Sequence, residues 1–547
     1  MTRTSPFAPT WPQPLDPLHS VALSALVAAV PLFVVLILMG GLRKSGLVAS
    51  VSGLLTAGAL AVLVWHMPLT LALWSTTNGF VYAVWPVLWL VFAGLWLYNL
   101  SVDTGSFERL RHWMEQHASG DPCIQAILVA FCFGALLESC AGFGAPVAVT
   151  AVLLVGLGFG ARRAVAVSLI ANTAPVAFGG MGLPIVVLAG VTGLDLSKLS
   201  AMVGRQLPLL SLILPAYLVW VVAGAKGLRR TWPAALVAGA SFAIAQFLVS
   251  NLWGPYAADV IAASISIAAM VTFLRVWKHR VADEPLSGGQ GPPLIRDAAG
   301  PRVRLSPSAT VAAWLPWVSL SIVMVLWSYL RLFQKGQITI PVPSLHNGIL
   351  ITLYQRPYAA LYSFQPLAGG TAVLAATAIT SLCLRSPRSF REAGMRTLRQ
   401  LRLPGLTVVI IVGLAYLYNY SGMAFTLGAT VARLGSVFPL VSSFLGWVAC
   451  FLSGSDAASN LLFGNLQVAA AHQLHLNPVL LAATNSSGAV AGKMISPQNI
   501  AVGVTTVSLI GQEGNVLRST FWHSVVIAAL LGLLALAQAY WVPWMVP

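Results

Sequence analysis

From His19 to the C-terminus, runs of 18 or more largely apolar residues recur, separated by short polar or basic stretches. A run of that length, wound as an α-helix, matches the thickness of a bilayer's hydrocarbon core. The pattern predicts single-crossing helices over roughly 19–42, 45–65, 69–100, 164–190, 203–225, 231–251, 256–276, 309–333, 366–384, 404–421, 478–510 and 521–546, twelve in all. Two further apolar stretches, about 122–160 and 437–473, carry glycine with polar or acidic residues near their middles. Backbone that leaves the helix at membrane depth must be enclosed by protein or line a cavity, so these two are expected to be re-entrant helical hairpins. The predicted class is an all-α polytopic membrane protein. Before the first run lie Pro6, Pro9, Pro12, Pro14 and Pro17 with a single basic residue, Arg3, and no small-x-small cleavage pattern, so the first helix is expected to stay uncleaved.

Composition excludes the soluble alternatives. Apolar side chains make up 58% of the 547 residues and charged ones 8%, with a mean hydropathy of +0.83, where a soluble domain carries about a quarter charged residues. The formal charge of +16 raises nucleic acid as a partner. The basic residues lack the aromatic interleaving of a nucleic-acid face, however, and fall in short clusters between apolar runs. The clusters Arg43/Lys44, Lys226/Arg229/Arg230, Arg275 through Arg304 and Arg385 through Arg402 hold 17 of the 30 Lys and Arg, which marks those loops as cytoplasmic. Counting crossings from Arg43 returns to the same side at every cluster only if both interrupted stretches dip and return. The five cysteines sit in or beside apolar segments without a CxxC pair, and read as reduced thiols.

Residues 277–308, with Ser287-Gly288-Gly289-Gln290-Gly291-Pro292-Pro293, form a polar linker. They divide the chain into an N-terminal membrane half, 1–276, and a C-terminal half, 309–547. Segments 104–119 and 388–402 read as basic amphipathic helices on the inner surface.

The halves repeat. Leu97-Tyr98-Asn99 recurs as Leu417-Tyr418-Asn419, followed 39 and 37 positions later by the acids Glu138 and Asp456. Asn172, Gly179, Met181 and Pro184 match Asn485, Gly492, Met494 and Pro497 in the shared pattern N-x6-G-x-M-x2-P. By the charge count the helix ending at Asn99 runs inward and that ending at Asn419 outward. An inverted repeat of this kind is the architecture of secondary transporters, with substrate held near the midplane at broken helices. The repeat cores cover about 92–195 and 404–510, and the breaks fall at Glu138 to Pro146, Asn172 to Pro184, Gly454 to Gly464 and Asn485 to Pro497.

A carboxylate at membrane depth costs on the order of 3 kcal/mol unless it is paired, hydrated or protonated. Glu138 and Asp456 are therefore candidates for proton coupling; the blander reading is an acid capping a hairpin turn. Lys493 interrupts an apolar stretch where the first half has Gly180, so the shared scaffold does not require a cation there. It is the first candidate for a substrate carboxylate, against a salt bridge to Asp456 or snorkelling to the interface. Asn172, Thr173, Ser455, Asn485, Ser486, Ser487, Asn465, Gln467 and the backbone at Gly144 complete the candidate substrate contacts. The polar side chains among them would equally satisfy backbone freed at the breaks.

Glu138 to Pro146, Leu169 to Gly179, Gly454 to Gln467 and Gly492 to Gln498 resemble the hallmark segments of the bacterial L-lactate permease family, densely over about 40% of the chain. The resemblance implies uptake of L-lactate, D-lactate or glycolate with protons across the bacterial inner membrane, without a cofactor. It carries the family's first-motif acid onto Glu138, its second-half acid onto Asp456 and its lysine onto Lys493. Ser139 and Cys140 stand where the family has Gly and Ala, Ala145 where it has Thr, and Ala457-Ala458 where it has Thr-Ser, which puts the choice of hydroxy acid in doubt. Sodium coupling, and a dicarboxylate or inorganic anion as cargo, are the competing transport readings; the few cations at the breaks favour a monoanion. An enzyme is not expected: the loops 277–308 and 335–365 offer Asp283, Glu284, Asp297 and His346 without a catalytic constellation.

Overall fold

A computed structural model describes residues 10–38, 42, 44–117, 121–140, 145–277, 306–330, 332, 335–352, 356–358, 360–509 and 512–547. Helices dominate it. The first half begins with a two-residue strand β1 (Trp11–Pro12), then α1 (Val21–Leu36), α2 (Gly46–Leu63), α3 (Leu69–Tyr82), α4 (Trp89–Asp103) and the amphipathic α5 (Ser106–His117). A π-helical turn at Ala83–Leu88, with extended backbone at Trp85, kinks α3 against α4. The first interrupted stretch comprises α6 (Pro122–Gln125), a π-helical segment Ala126–Phe133, α7 (Gly134–Cys140) and α8 (Ala145–Gly156). It leads into α9 (Ala161–Ala171) and α10 (Gly179–Thr192). Two spans follow as α11 (Leu196–Leu252), reversed at Gly224 with φ +62, and then α12 (Ala258–Val276).

The second half opens with α13 (Pro307–Tyr329) and four short strands, β2 (Ile338–Pro341), β3 (Ile349–Ile351), β4 (Arg356–Pro357) and β5 (Leu361–Phe364). It continues as α14 (Gly369–Cys383), α15 (Pro387–Tyr420), α16 (Met423–Val431), α17 (Phe438–Ser453), α18 (Asp456–Gln473), α19 (Pro478–Lys493), α20 (Pro497–Thr506) and α21 (Glu513–Tyr540). Among the described residues, nine helical stretches are long and apolar enough to cross a membrane, and four apolar helices are shorter. The chain is an all-α polytopic membrane protein in its main architecture.

Three expectations change form. Segments 164–190 and 478–510, drawn as single crossings, are each two shorter helices separated at the predicted breaks, as α9/α10 and α19/α20. Segment 388–402 is no separate surface helix, because α15 runs unbroken through Pro404 into the following span. Segment 335–365 is partly strand: β2 pairs antiparallel with β5, and β3 lies between β1 and β4. Strands of two to four residues are too short to declare themselves by alternation, and β1 comes from the far end of the sequence. Gln13 Nε2, next to β1, donates to the Asn419 and Tyr420 carbonyls at 3.2 and 2.7 Å, satisfying the open end of α15. Of the cysteines described, Cys123, Cys132 and Cys450 are buried free thiols, while Cys383 is exposed. The linker, apart from residues 277 and 306–308, and Gly144 lie outside the described residues.

Both interrupted stretches fold back on themselves. In the second, Ser459 Oγ donates to Gly446 O at 3.1 Å and Gln467 Nε2 to Ser442 O at 3.2 Å, a register in which α17 and α18 run antiparallel. In the first, α8 packs along α7 and the π-helical segment before it, with Thr150 against Gly134. The arm from Pro122 to Ser139 and helix α18 are almost wholly enclosed, α8 and α17 are about half buried, and the exposed large apolar side chains lie chiefly on the surrounding helices, as a lipid-facing shell requires.

Candidate substrate and coupling site

The four breaks predicted from the repeat supply the site. Gly454, in the left-handed region at φ +71, ends α17 and lets the chain reverse within two residues. Ser455 then caps α18, its hydroxyl accepting from Ala458 N at 3.3 Å, which sets Asp456 in the helix's first turn. The chain leaves α9 at Asn172, and the start of α10 passes through three consecutive left-handed residues, Gly180, Met181 and Gly182, with φ 52, 62 and 74. A methionine held there is strained, and only surrounding structure keeps it so. The carbonyls of α10 are taken by side chains from three helices: Asn460 on Pro184 O at 3.1 Å, Tyr82 on Val186 O at 3.0 Å, Tyr416 on Gly190 O at 3.1 Å and Asn465 on Val191 O at 2.7 Å.

Glu138 lies in the last turn of α7 at 2% exposure, and Lys493 ends α19 at 7%. They meet across the two halves: Lys493 Nζ donates to Glu138 Oε1 at 2.5 Å, and Asn172 Nδ2 donates to Glu138 Oε2 at 3.1 Å. A Cβ built on Gly179 would stand 2.7 Å from Oε1, so that glycine makes room for the carboxylate. Such a buried pair is costly to break, since the partner left behind is an uncompensated charge. Asn499 Nδ2 donates to Gly454 O at 3.2 Å and Lys493 O at 3.4 Å, tying the second hairpin's turn to the α19/α20 break.

Beside the pair lies a narrow, partly open crevice, too tight in this conformation to admit a water molecule, lined by Asn172, Thr173, Lys493 and Asn499 with Val147, Leu169, Val176, Val490 and Met494. Two polar atoms of its lining residues, Asn172 Oδ1 and Thr173 Oγ1, are buried with no hydrogen-bond partner. Buried polar groups are rarely left so, and here an ammonium, an acceptor and a hydroxyl line one crevice.

Asp456 is also buried. Its Oδ2 accepts from Ser486 Oγ at 2.8 Å, its Oδ1 has no partner, and both Lys493 and Glu138 lie within electrostatic reach. The remaining candidates are engaged with the protein itself. Asn485 Nδ2 donates to Asn460 Oδ1 at 3.0 Å and its Oδ1 accepts from Gln467 Nε2 at 3.2 Å, Asn465 holds α10, and Ser487 Oγ donates to Gln206 Oε1 at 2.6 Å. They join helices rather than face the crevice. Glu138, Asn172, Thr173 and Lys493 are brought together, with Asp456 and Ser486 beside them.

Two residues escaped the sequence reading. Asn499 gives no signal before the α19/α20 break folds it back. Asp259 carried one, an acid inside an apolar run, but its place near a helix start disguised it; it is 1% exposed.

A model of the family described as L-lactate permease matches residues 24–542. The glycolate permease GlcA of Escherichia coli K12 is 40% identical, over 97% of this chain and 98% of its own length. The L-lactate permease of Salmonella typhimurium is 39% identical, over 98% and 100% respectively, as is that of Bacillus subtilis.

Proposed function

Because the chain belongs to the L-lactate permease family, we propose that it imports lactate, glycolate or a closely related small 2-hydroxy monocarboxylate across the bacterial inner membrane by proton symport. The observation that carries this reading is the buried Lys493–Glu138 pair beside a crevice where Asn172 Oδ1 and Thr173 Oγ1 lack partners. A 2-hydroxy acid complements that set: its carboxylate takes Lys493 and the Thr173 hydroxyl, and its hydroxyl donates to Asn172 Oδ1.

Coupling follows from competition for one cation. An arriving carboxylate draws Lys493 away from Glu138, and an ionised Glu138 without its counter-ion costs several kcal/mol in so enclosed a place. Taking up a proton removes that cost, so anion and proton enter together. Asp456, with one unsatisfied oxygen, is the second coupling acid and guards the turn of the other hairpin. Release on the inner side restores the Lys493–Glu138 pair.

In the architecture we favour, the two antiparallel hairpins are re-entrant, the halves 1–276 and 309–547 are inverted repeats joined by the cytoplasmic linker 277–308, and about twelve helices cross the membrane. The matched breaks of the two halves and the charge clusters support it.

Uptake into proteoliposomes under an imposed pH gradient tests the function. Lactate and glycolate should accumulate and pyruvate, which lacks the hydroxyl, should do so less; Glu138→Gln should abolish accumulation. Accumulation of a dicarboxylate but of neither hydroxy acid, or dependence on a sodium gradient alone, would overturn it.

A further inference from the structure

Glu138 does not stand alone as a buried acid in its half. Asp259 lies in the first turn of α12, 1% exposed. Its Oδ1 accepts from Gln246 Nε2 at 2.8 Å, Gln246 Oε1 accepts from Ser211 Oγ at 2.9 Å, and Asp259 Oδ2 has no partner. An acid near a helix start usually caps it. Neither oxygen of Asp259 accepts from a backbone N–H, and the residue at the cap position is Ala257, so capping does not account for it.

The packing of α12 sets Asp259 beside Glu138. Cys132 Sγ meets Ser266 Oγ at 3.3 Å, fixing the register of α12 against the π-helical segment that runs into α7 and Glu138. Glu138 lies six residues beyond Cys132 and Asp259 seven before Ser266, axial rises of about 9 and about 10 Å. The two carboxyls therefore reach the same level on neighbouring antiparallel helices, within electrostatic reach of each other. The other titratable groups do not compensate Asp259. Cys132 is at the Ser266 level, Tyr256 is in the preceding turn, and Arg205 on α11 is bound to Asn251 Oδ1 and the Met545 carbonyl, each at 2.9 Å. Helix α10 has no titratable residue, and Tyr329 of α13 is exposed. The turn before α12 carries no basic residue, which marks it as outer, and a Cβ on Gly182 of the α10 break would stand 2.7 Å from Pro255 in that turn.

We propose that Asp259 is a proton-loading group that serves Glu138 from the outer side, an inference that rests on the proton-symport reading above. When substrate draws Lys493 away, the O–H bond of the Asp259 carboxylic acid breaks, the proton passes to Glu138, and Asp259 is left as carboxylate. A hydronium ion from the outer side then reprotonates it and is left as water. The Gln246 amide, itself anchored by Ser211, holds Asp259 Oδ1 and leaves Oδ2 for the proton. Asp259 touches no substrate; it acts through Glu138.

The test separates proton delivery from packing. In proteoliposomes, Asp259→Asn should lower accumulation of lactate driven by a pH gradient at least tenfold, while lactate counterflow at equal pH on both sides stays within twofold of wild type. Asp259→Glu should keep accumulation with a displaced pH profile. Loss of accumulation and counterflow together in a folded Asp259→Asn protein, or full accumulation by it, overturns the proposal. If Asp259→Asn does not fold, Asp259→Glu decides: an unmoved pH profile overturns it. Wild-type protein that accumulates nothing under the gradient overturns the symport reading itself, and this inference with it.

Discussion

Lys493 and Glu138 show what a single contact does when water is excluded on every side. Each alone in this interior would be a charge without compensation; together, with the Asn172 amide on the second carboxylate oxygen, they form a set that is satisfied yet still exchangeable. Lys493→Met leaves Glu138 without its cation. The expected result is loss of uptake and a destabilisation of about 3–5 kcal/mol, the usual cost of removing one partner of a buried pair. Thermal unfolding in detergent measures it. The double variant with Glu138→Gln should recover much of the stability and none of the transport, since two neutral groups no longer need each other. A double variant as unstable as the single one would mean that the lysine's stem, and not its charge, matters here.

At the scale of elements, the breaks do the positioning. Helices α17 and α19 touch through glycines: a Cβ on Gly446 would meet Asn485 O at 1.9 Å, one on Gly488 Ser443 O at 2.1 Å, and one on Gly492 Trp447 O at 2.2 Å. That seam carries Lys493 to the level of the hairpin turn, and Asn499 locks it there. Gly179 plays the matching part in the first half, where the obstacle to a methyl group is the flexible end of Glu138 rather than backbone. Gly179→Ala should therefore leave the fold intact while pushing Glu138 off Lys493. Its expected signature is a monodisperse protein with uptake reduced roughly tenfold or more, a barrier change of about 1.4 kcal/mol. Wild-type uptake by this variant would show that the close approach is incidental.

For the molecule as a whole, the electrostatics dictate how uptake responds to voltage. The empty site holds one cation and one anion. In the proposed cycle the loaded site holds Lys493, the substrate carboxylate and a protonated Glu138, with the same net charge. One anion crossing with one proton moves no charge, so uptake should follow a pH gradient and ignore a potential imposed with potassium and valinomycin. Acceleration by an inside-negative potential would require more than one proton per anion, with Asp456 the first acid to suspect.

Membrane class, the broken helices and the two buried acids Glu138 and Asp456 were all legible along the chain, because bilayer thickness and the cost of a buried charge act on local sequence. The lysine was legible too, but not its partner: the sequence set a bridge to Asp456 against a contact with substrate, and folding brought Lys493 to Glu138 instead, 355 positions away. Nor does any spacing reveal that Asn465, Gln467, Asn485 and Ser487 are engaged between helices while Asn172 and Thr173 keep an atom unpaired. All are amides or hydroxyls at or just beyond the breaks, and only the neighbour each meets distinguishes them. Asp259 became a companion of Glu138 through the register of two antiparallel helices, a relation that exists only once they pack. Composition and periodicity decide which segments enter the membrane; which polar groups remain available there is decided by packing.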